Sequence, residues 1–151
     1  IVQSSYVRWH IFIYQILLMG NIVSLMAIQN DKILAVKRKK DPYKGLYWLP
    51  WWHIEEWETQ IEALKREVKE ETNQVIWNIK YITAITDNTN HIYVYAADII
   101  WKTDYEVEDD WVEHSARITI SEFIDGFNKY NVVWREELID QLNKYIIENS
   151  D

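Results

Sequence analysis

Residues 56–72 constrain the fold of this chain more than any other stretch. Ile61, Leu64 and Val68 recur there at three- and four-residue spacing, which puts them on one stripe of a helix. Thr59 can cap its start, and Asn73 stands where it should stop. A helix with a single apolar stripe needs a surface to bury it against, and the flanking runs are strand-like. NIVSLMAI (21–28) is β-branched and apolar, and after the turn residues QNDK comes ILAVKR (33–38), expected as its antiparallel partner. LYWLP is expected as a short strand stopped by Pro50. Beyond the helix, YITAIT (81–86), HIYVYAADII (91–100) and SARITI (115–120) read as strands, the first two joined by the turn DNTN. SEFIDGF is expected as a short helix capped by Ser121, and Leu138, Leu142, Tyr145 and Ile146 sit at helical spacing within 135–149. Strands and helices mixed in this way predict an α/β chain with a mixed sheet packed between helices.

Length and charge narrow the function. A chain of 151 residues can bury a proper core as one domain, expected over 19–151, with 1–18 set apart as an N-terminal extension. Met19 is a candidate start within the longer sequence. The run 9–28 is about as long as a membrane span, but His10, Gln15, Asn21 and Ser24 interrupt it and it merges into the first strand. It reads first as an extra strand or upstream-translated leader, then as an N-terminal helix or anchor, then as a signal-like segment, and no membrane association is expected. Cysteine is absent, which removes disulfides, thiolate metal sites and a thiol nucleophile, and fits a cytoplasmic setting. The net charge of -8 argues against an extended nucleic-acid surface, which needs a basic face.

Within the helix, REVKEE places Glu67, Glu70 and Glu71 at i, i+3, i+4, on one side and about a turn apart. Like charges so placed repel unless a cation joins them, and oxygen ligands of this kind suit Mg²⁺ or Mn²⁺. Taken alone, REVKEE reads equally as a solvated acidic face eased by Lys65, Arg66 and Lys69.

The wider stretch resembles the signature of the Nudix hydrolases. That pattern is Gly, five residues, Glu, seven residues, then Arg-Glu-hydrophobic-any-Glu-Glu-any-Gly-hydrophobic. Glu58, Arg66, Glu67, Val68, Glu70 and Glu71 all fall in register, whereas Trp52, Asn73 and Gln74 replace the two glycines and the last hydrophobic residue. The lead-in, ILAVKR and DPYKGLYWLP, is similar too. The resemblance covers about residues 21–120 and implies a Nudix-like α/β/α sandwich around a mixed β-sheet. It implies hydrolysis of the pyrophosphate of a nucleoside diphosphate linked to another group, assisted by Mg²⁺ or Mn²⁺ on Glu67, Glu70 and Glu71. Arg66 and Glu58 would brace the loop and orient those ligands. Arg38, at the end of the second strand, would contact substrate phosphate, and Glu113 would supply a further carboxylate. Phosphoryl chemistry of this type rests on charge neutralisation and an aligned water. The expected partner is a nucleotide small molecule, and a homodimer is compatible with the family.

The glycines of the family's loop appear here as PWWHIEEWE. Glycine tolerates φ > 0 and close backbone approach, and Trp does neither cheaply. Trp51, Trp52 and Trp57 are therefore expected to distort the loop, plug the pocket or stack on a base. With 9 Trp and only 3 Gly, the composition is what a UGA glycine codon read as Trp would produce, Trp77, Trp101 and Trp111 also standing in turn-like places. If the tryptophans are the native residues, the competing expectation is a Nudix-fold nucleotide-binding module without turnover, and behind it a scaffold using exposed aromatic residues.

Overall fold

The computed structural model describes residues 20–72, 75–86, 90–99 and 112–149. Eight strands and three helices follow one another there: β1 (Gly20–Met26), β2 (Ile28–Gln29), β3 (Lys32–Arg38), β4 (Tyr47–Trp48), β5 (Trp51–His53), α1 (Gln60–Thr72), β6 (Trp77–Thr86), β7 (Asn90–Asp98), β8 (Val112–Thr119), α2 (Ile120–Phe127) and α3 (Arg135–Glu148). One sheet runs β5-β1-β7-β6. It is mixed, because β1 lies parallel to β7 but antiparallel to β5. In the other sheet β8 runs antiparallel along the whole of β3, while β2 and then β4 take the opposite edge.

The central strands β1, β3 and β7 are largely apolar because both faces are covered, as in α/β folds generally. In β1, Ile22 and Met26 point into one core with Phe123, Phe127, Leu138 and Leu142 of α2 and α3. Val23 and Leu25 point into another, with Leu64 and Val68 of α1. β3 divides likewise, Ile33 and Ala35 against Leu34. The period-two alternation of a strand thus produces the three layers, with α1 on one side and α2 and α3 on the other. This is the α/β, Nudix-like sandwich expected from the sequence.

Several local expectations change. The run 21–28 pairs with β5 and β7, and only its end, as β2, meets β3. The chain passes between sheets at Ala27, whose carbonyl accepts from Leu34 N–H at 3.0 Å. Asn30 takes φ 58° in the β2–β3 turn, a conformation Asn tolerates. The helix expected from 56 begins at Gln60, β6 begins four residues before YITAIT, and the cap of α2 is Thr119 rather than Ser121. The turn DNTN falls largely, and Asn73 wholly, outside the described residues. No helix among the described residues is long and apolar enough to cross a membrane.

Candidate active site

The site is built where β5 leads into α1. Thr59 caps the helix as expected, its Oγ1 accepting from Glu62 N–H while its own N–H donates to Glu62 Oε2, both at 3.2 Å. This reciprocal pair is a capping box. It fixes where the helix starts and therefore where Glu58, one residue earlier, projects. The Glu58 side chain is 1 % exposed and points back at Arg66, two turns into α1. Arg66 Nε donates to Glu58 Oε2 at 2.9 Å and Nη2 to Oε1 at 2.7 Å. Glu58 Oε1 also accepts from Glu55 N–H at 3.0 Å, which ties the loop to the same carboxylate.

The third guanidinium nitrogen faces the other way. Arg66 Nη1 donates to Glu67 Oε1 at 2.7 Å and to Glu70 Oε2 at 3.3 Å. One cation therefore holds three carboxylates, planar and forked enough to serve two groups of acceptors. The bidentate Arg66 pair holds the Glu58 carboxyl down from 4.5 to about 2. In return, the hydrogen bond from Glu58 raises Arg66 above its ordinary range. The sequence pattern thus brings Glu58, Arg66, Glu67 and Glu70 together. Glu71 continues the same turn of α1, but its side chain lies outside the described residues, as does that of Glu113. Three carboxylates against one guanidinium leave the cluster negative. Glu67 and Glu70 each give one oxygen to this nitrogen, and among the described residues no three acidic or histidine side chains are grouped so as to hold a metal ion.

Arg38 ends β3, and its Nε donates to the Pro42 carbonyl at 2.8 Å. In the sheet, Val112 of β8 is its register partner and His114 that of Lys37, with a bulge between. That places Glu113 at the backbone position beside Arg38. Arg38 also borders a cavity of about 200 Å³ walled by Tyr43, Trp48, Trp51, Tyr130 and Trp134. Trp48 packs on Tyr130 at 5.3 Å and edge-on against Trp134 at 5.1 Å, centroid to centroid. Sequence reasoning missed four of these aromatic residues, because β4 and the α2–α3 connection meet only through tertiary packing.

The three tryptophans separate into different roles. None of them is among the non-glycine residues at positive φ, so the loop keeps ordinary backbone geometry. Trp51 and Trp52 form β5, paired with Ser24 and Val23. Trp52 is buried at 8 % exposure among Leu64, Val68 and other residues of the α1 core, whereas Trp57 is 73 % exposed. Trp51 alone reaches the cavity. Trp77 opens β6 next to Asn78, which takes φ 52°. Trp101, Trp111 and the acidic residues 106–110 lie outside the described residues.

Comparison with known proteins agrees with this fold. The NUDIX domain family matches residues 20–142. The chain therefore belongs to the Nudix family, and the signature helix is the α1 described above. Over 47 residues it is 47% identical to an ADP-ribose pyrophosphatase of Methanocaldococcus jannaschii, a match spanning 31% of this chain and 28% of that relative's length. A Nudix hydrolase from Nitrosomonas europaea superposes with a TM-score of 0.64 at 18% identity, covering 83% of this chain and 89% of the other. The Nudix domain of Shewanella oneidensis NrtR, solved with ADP ribose, superposes at 0.62 with 19% identity, covering 85% and 88%. At these identities the two structures establish the shared fold.

Proposed function

We propose that the chain hydrolyses the pyrophosphate of a nucleoside diphosphate joined to a second group, with Mg²⁺ or Mn²⁺ held by Glu67, Glu70 and Glu71. The single observation that carries this reading is the convergence of Glu67 and Glu70 on Arg66 Nη1, with Arg66 anchored from behind by the buried Glu58. When bound, the ion would supply charge neutralisation for the phosphates and an activated water. The chain's own groups do the positioning. Glu58 holds the guanidinium in one orientation, and Arg66 holds the carboxylates on one side of α1. Arg38 offers a guanidinium to phosphate oxygens at the end of β3, and Glu113 stands beside it in β8. The aromatic cavity receives the base. Attack by water on one phosphorus breaks the P–O bond to the bridging oxygen and leaves two monophosphates.

ADP-ribose is the first substrate to test, because the pyrophosphatase from Methanocaldococcus jannaschii is named for it and the Shewanella oneidensis domain was solved with it. The assay is direct: incubate the chain with ADP-ribose and other nucleoside diphosphate derivatives, with and without Mg²⁺ or Mn²⁺, and measure monophosphate release. Turnover requiring the ion supports the reading, and turnover undiminished by chelation rejects it. A second reading, a nucleotide-binding module without turnover, draws on Trp51 in the cavity wall. Binding of ADP-ribose without hydrolysis would establish it.

A further inference from the structure

Tyr43 stands apart in the cavity wall. It is a bulky residue at φ 68°, in the left-handed region that favours glycine. Such a conformation persists only where surrounding contacts over-determine it. Here those contacts are on the page. The Tyr43 carbonyl accepts from Leu46 N–H at 3.1 Å, which closes the turn between β3 and β4. Its hydroxyl accepts from Asn131 N–H at 2.9 Å, across to the connection between α2 and α3. Its ring lies 4.4 Å from that of Tyr130, centroid to centroid. Tyr130 in turn donates to the Tyr47 carbonyl at 3.1 Å, a second stitch between the same two segments. Two loops far apart in sequence are thus sewn together across the cavity, and Tyr43 is both a stitch and a wall.

We propose that Tyr43 is a substrate-binding residue, its ring forming one face of a nucleobase slot and its hydroxyl fixing the width of that slot through Asn131. The cavity is small for a whole nucleotide, since sites enclosing drug-sized ligands run to roughly 300–1,000 Å³. At about 200 Å³ it suits a single flat ring system, with the sugar and phosphates outside. Its lining is aromatic and aliphatic, with Asn90 to meet the polar edge of a base and Arg38 left for the phosphates. Stacking of a base on such rings is sequence-tolerant, so geometry set by Tyr43 decides how well a given ring fits. This inference rests on the nucleotide reading above but can be tested separately from turnover.

The test uses the full chain, Tyr43→Phe and Tyr43→Leu, with AMP as the probe followed by tryptophan fluorescence, and ADP-ribose for kinetics. Tyr43→Phe removes the stitch and keeps the wall; its Kd for AMP should rise about fivefold, the worth of one neutral hydrogen bond. Tyr43→Leu removes both and should weaken AMP further, and the loss for ADP-ribose should fall on KM more than on kcat. Far-ultraviolet circular dichroism checks that both variants fold. AMP affinity unchanged in both folded variants overturns the proposal, as does a wild-type chain that turns over ADP-ribose without binding AMP. Tyr43-dependent AMP binding without hydrolysis upholds it while rejecting the catalytic reading.

Discussion

Arg66 grips Glu58 at two points, Nε to Oε2 at 2.9 Å and Nη2 to Oε1 at 2.7 Å, with the carboxylate almost wholly out of water. Because the ionised form is favoured by this pair, the Glu58 carboxyl falls from 4.5 to about 2 on folding. A carboxyl depressed in the folded state contributes stability in full above its unfolded value. That contribution is lost as pH drops through the folded value. Unfolding of the wild type should therefore show Glu58-dependent stability at pH 5 that fades between pH 4.5 and about 2. Glu58→Gln should lower stability by roughly 2 kcal/mol at neutral pH, the scale of a charged hydrogen bond. The gap between the two proteins should close as the medium is acidified. Urea denaturation across that pH range measures it; a gap independent of pH would mean that ionisation of Glu58 contributes nothing to the fold.

The capping box gives a second expectation. Thr59 and Glu62 exchange hydrogen bonds at the first turn of α1. Thr59→Ala should cost about 1 kcal/mol, whereas Thr59→Ser should keep the cap intact. Because the cap fixes the helix start, Thr59→Ala should also loosen the loop that carries Glu58. Hydrogen exchange at the Glu55 and Glu58 amides reads this, and faster exchange is the expected sign.

Trp52 and Trp57 should respond oppositely to replacement by glycine. Trp52 fills the α1 core, so Trp52→Gly should destabilise by about 3–5 kcal/mol. Trp57 stands in solvent, and Trp57→Gly should change stability by less than about 0.5 kcal/mol. Trp51→Gly should widen the cavity and raise the KM for ADP-ribose. Thermal melts and kinetics of the three single variants separate these effects. The coding DNA bears on the same residues: the glycine reading expects UGA at positions 51, 52 and 57, and UGG there removes it.

The layout of α1 was legible because it is local. Apolar spacing, the Thr59 cap and the signature register all lie within one helix and its lead-in, where sequence separation nearly equals spatial neighbourhood. The pairing of β1 was not legible, since a strand with both faces buried carries no mark of which sheet it enters, and the switch occurs at Ala27. The cap of α2 could have been read: Thr119 precedes Glu122 by three residues, the capping-box spacing, and Thr119 Oγ1 accepts from Glu122 N–H at 3.1 Å. Ser121, two residues on, offers a competing hydroxyl of the same chemistry. The aromatic cavity joins Tyr43 to Tyr130 across most of the chain, and no periodicity announces such a meeting.

The metal assignment stands on the carboxylates of α1, and their substitution separates ligands from braces. Arg66 Nη1 already spans Glu67 and Glu70, so a divalent ion would compete with or join a cation present in the fold. Neutralising a direct ligand should remove much of the several kcal/mol that such an ion supplies. Glu67→Gln and Glu71→Gln should each lower kcat by about a hundredfold or more and weaken Mn²⁺ binding in calorimetric titration. Glu70→Gln should act in the same direction but less, since its side chain is 60% exposed and its bond to Arg66 is the longest of the set at 3.3 Å. Glu58→Gln should weaken Mn²⁺ affinity only indirectly, by about tenfold, as second-layer partners of metal ligands do. Turnover that survives both Glu67→Gln and Glu71→Gln would refute the metal assignment and leave the cluster as a structural brace for the helix.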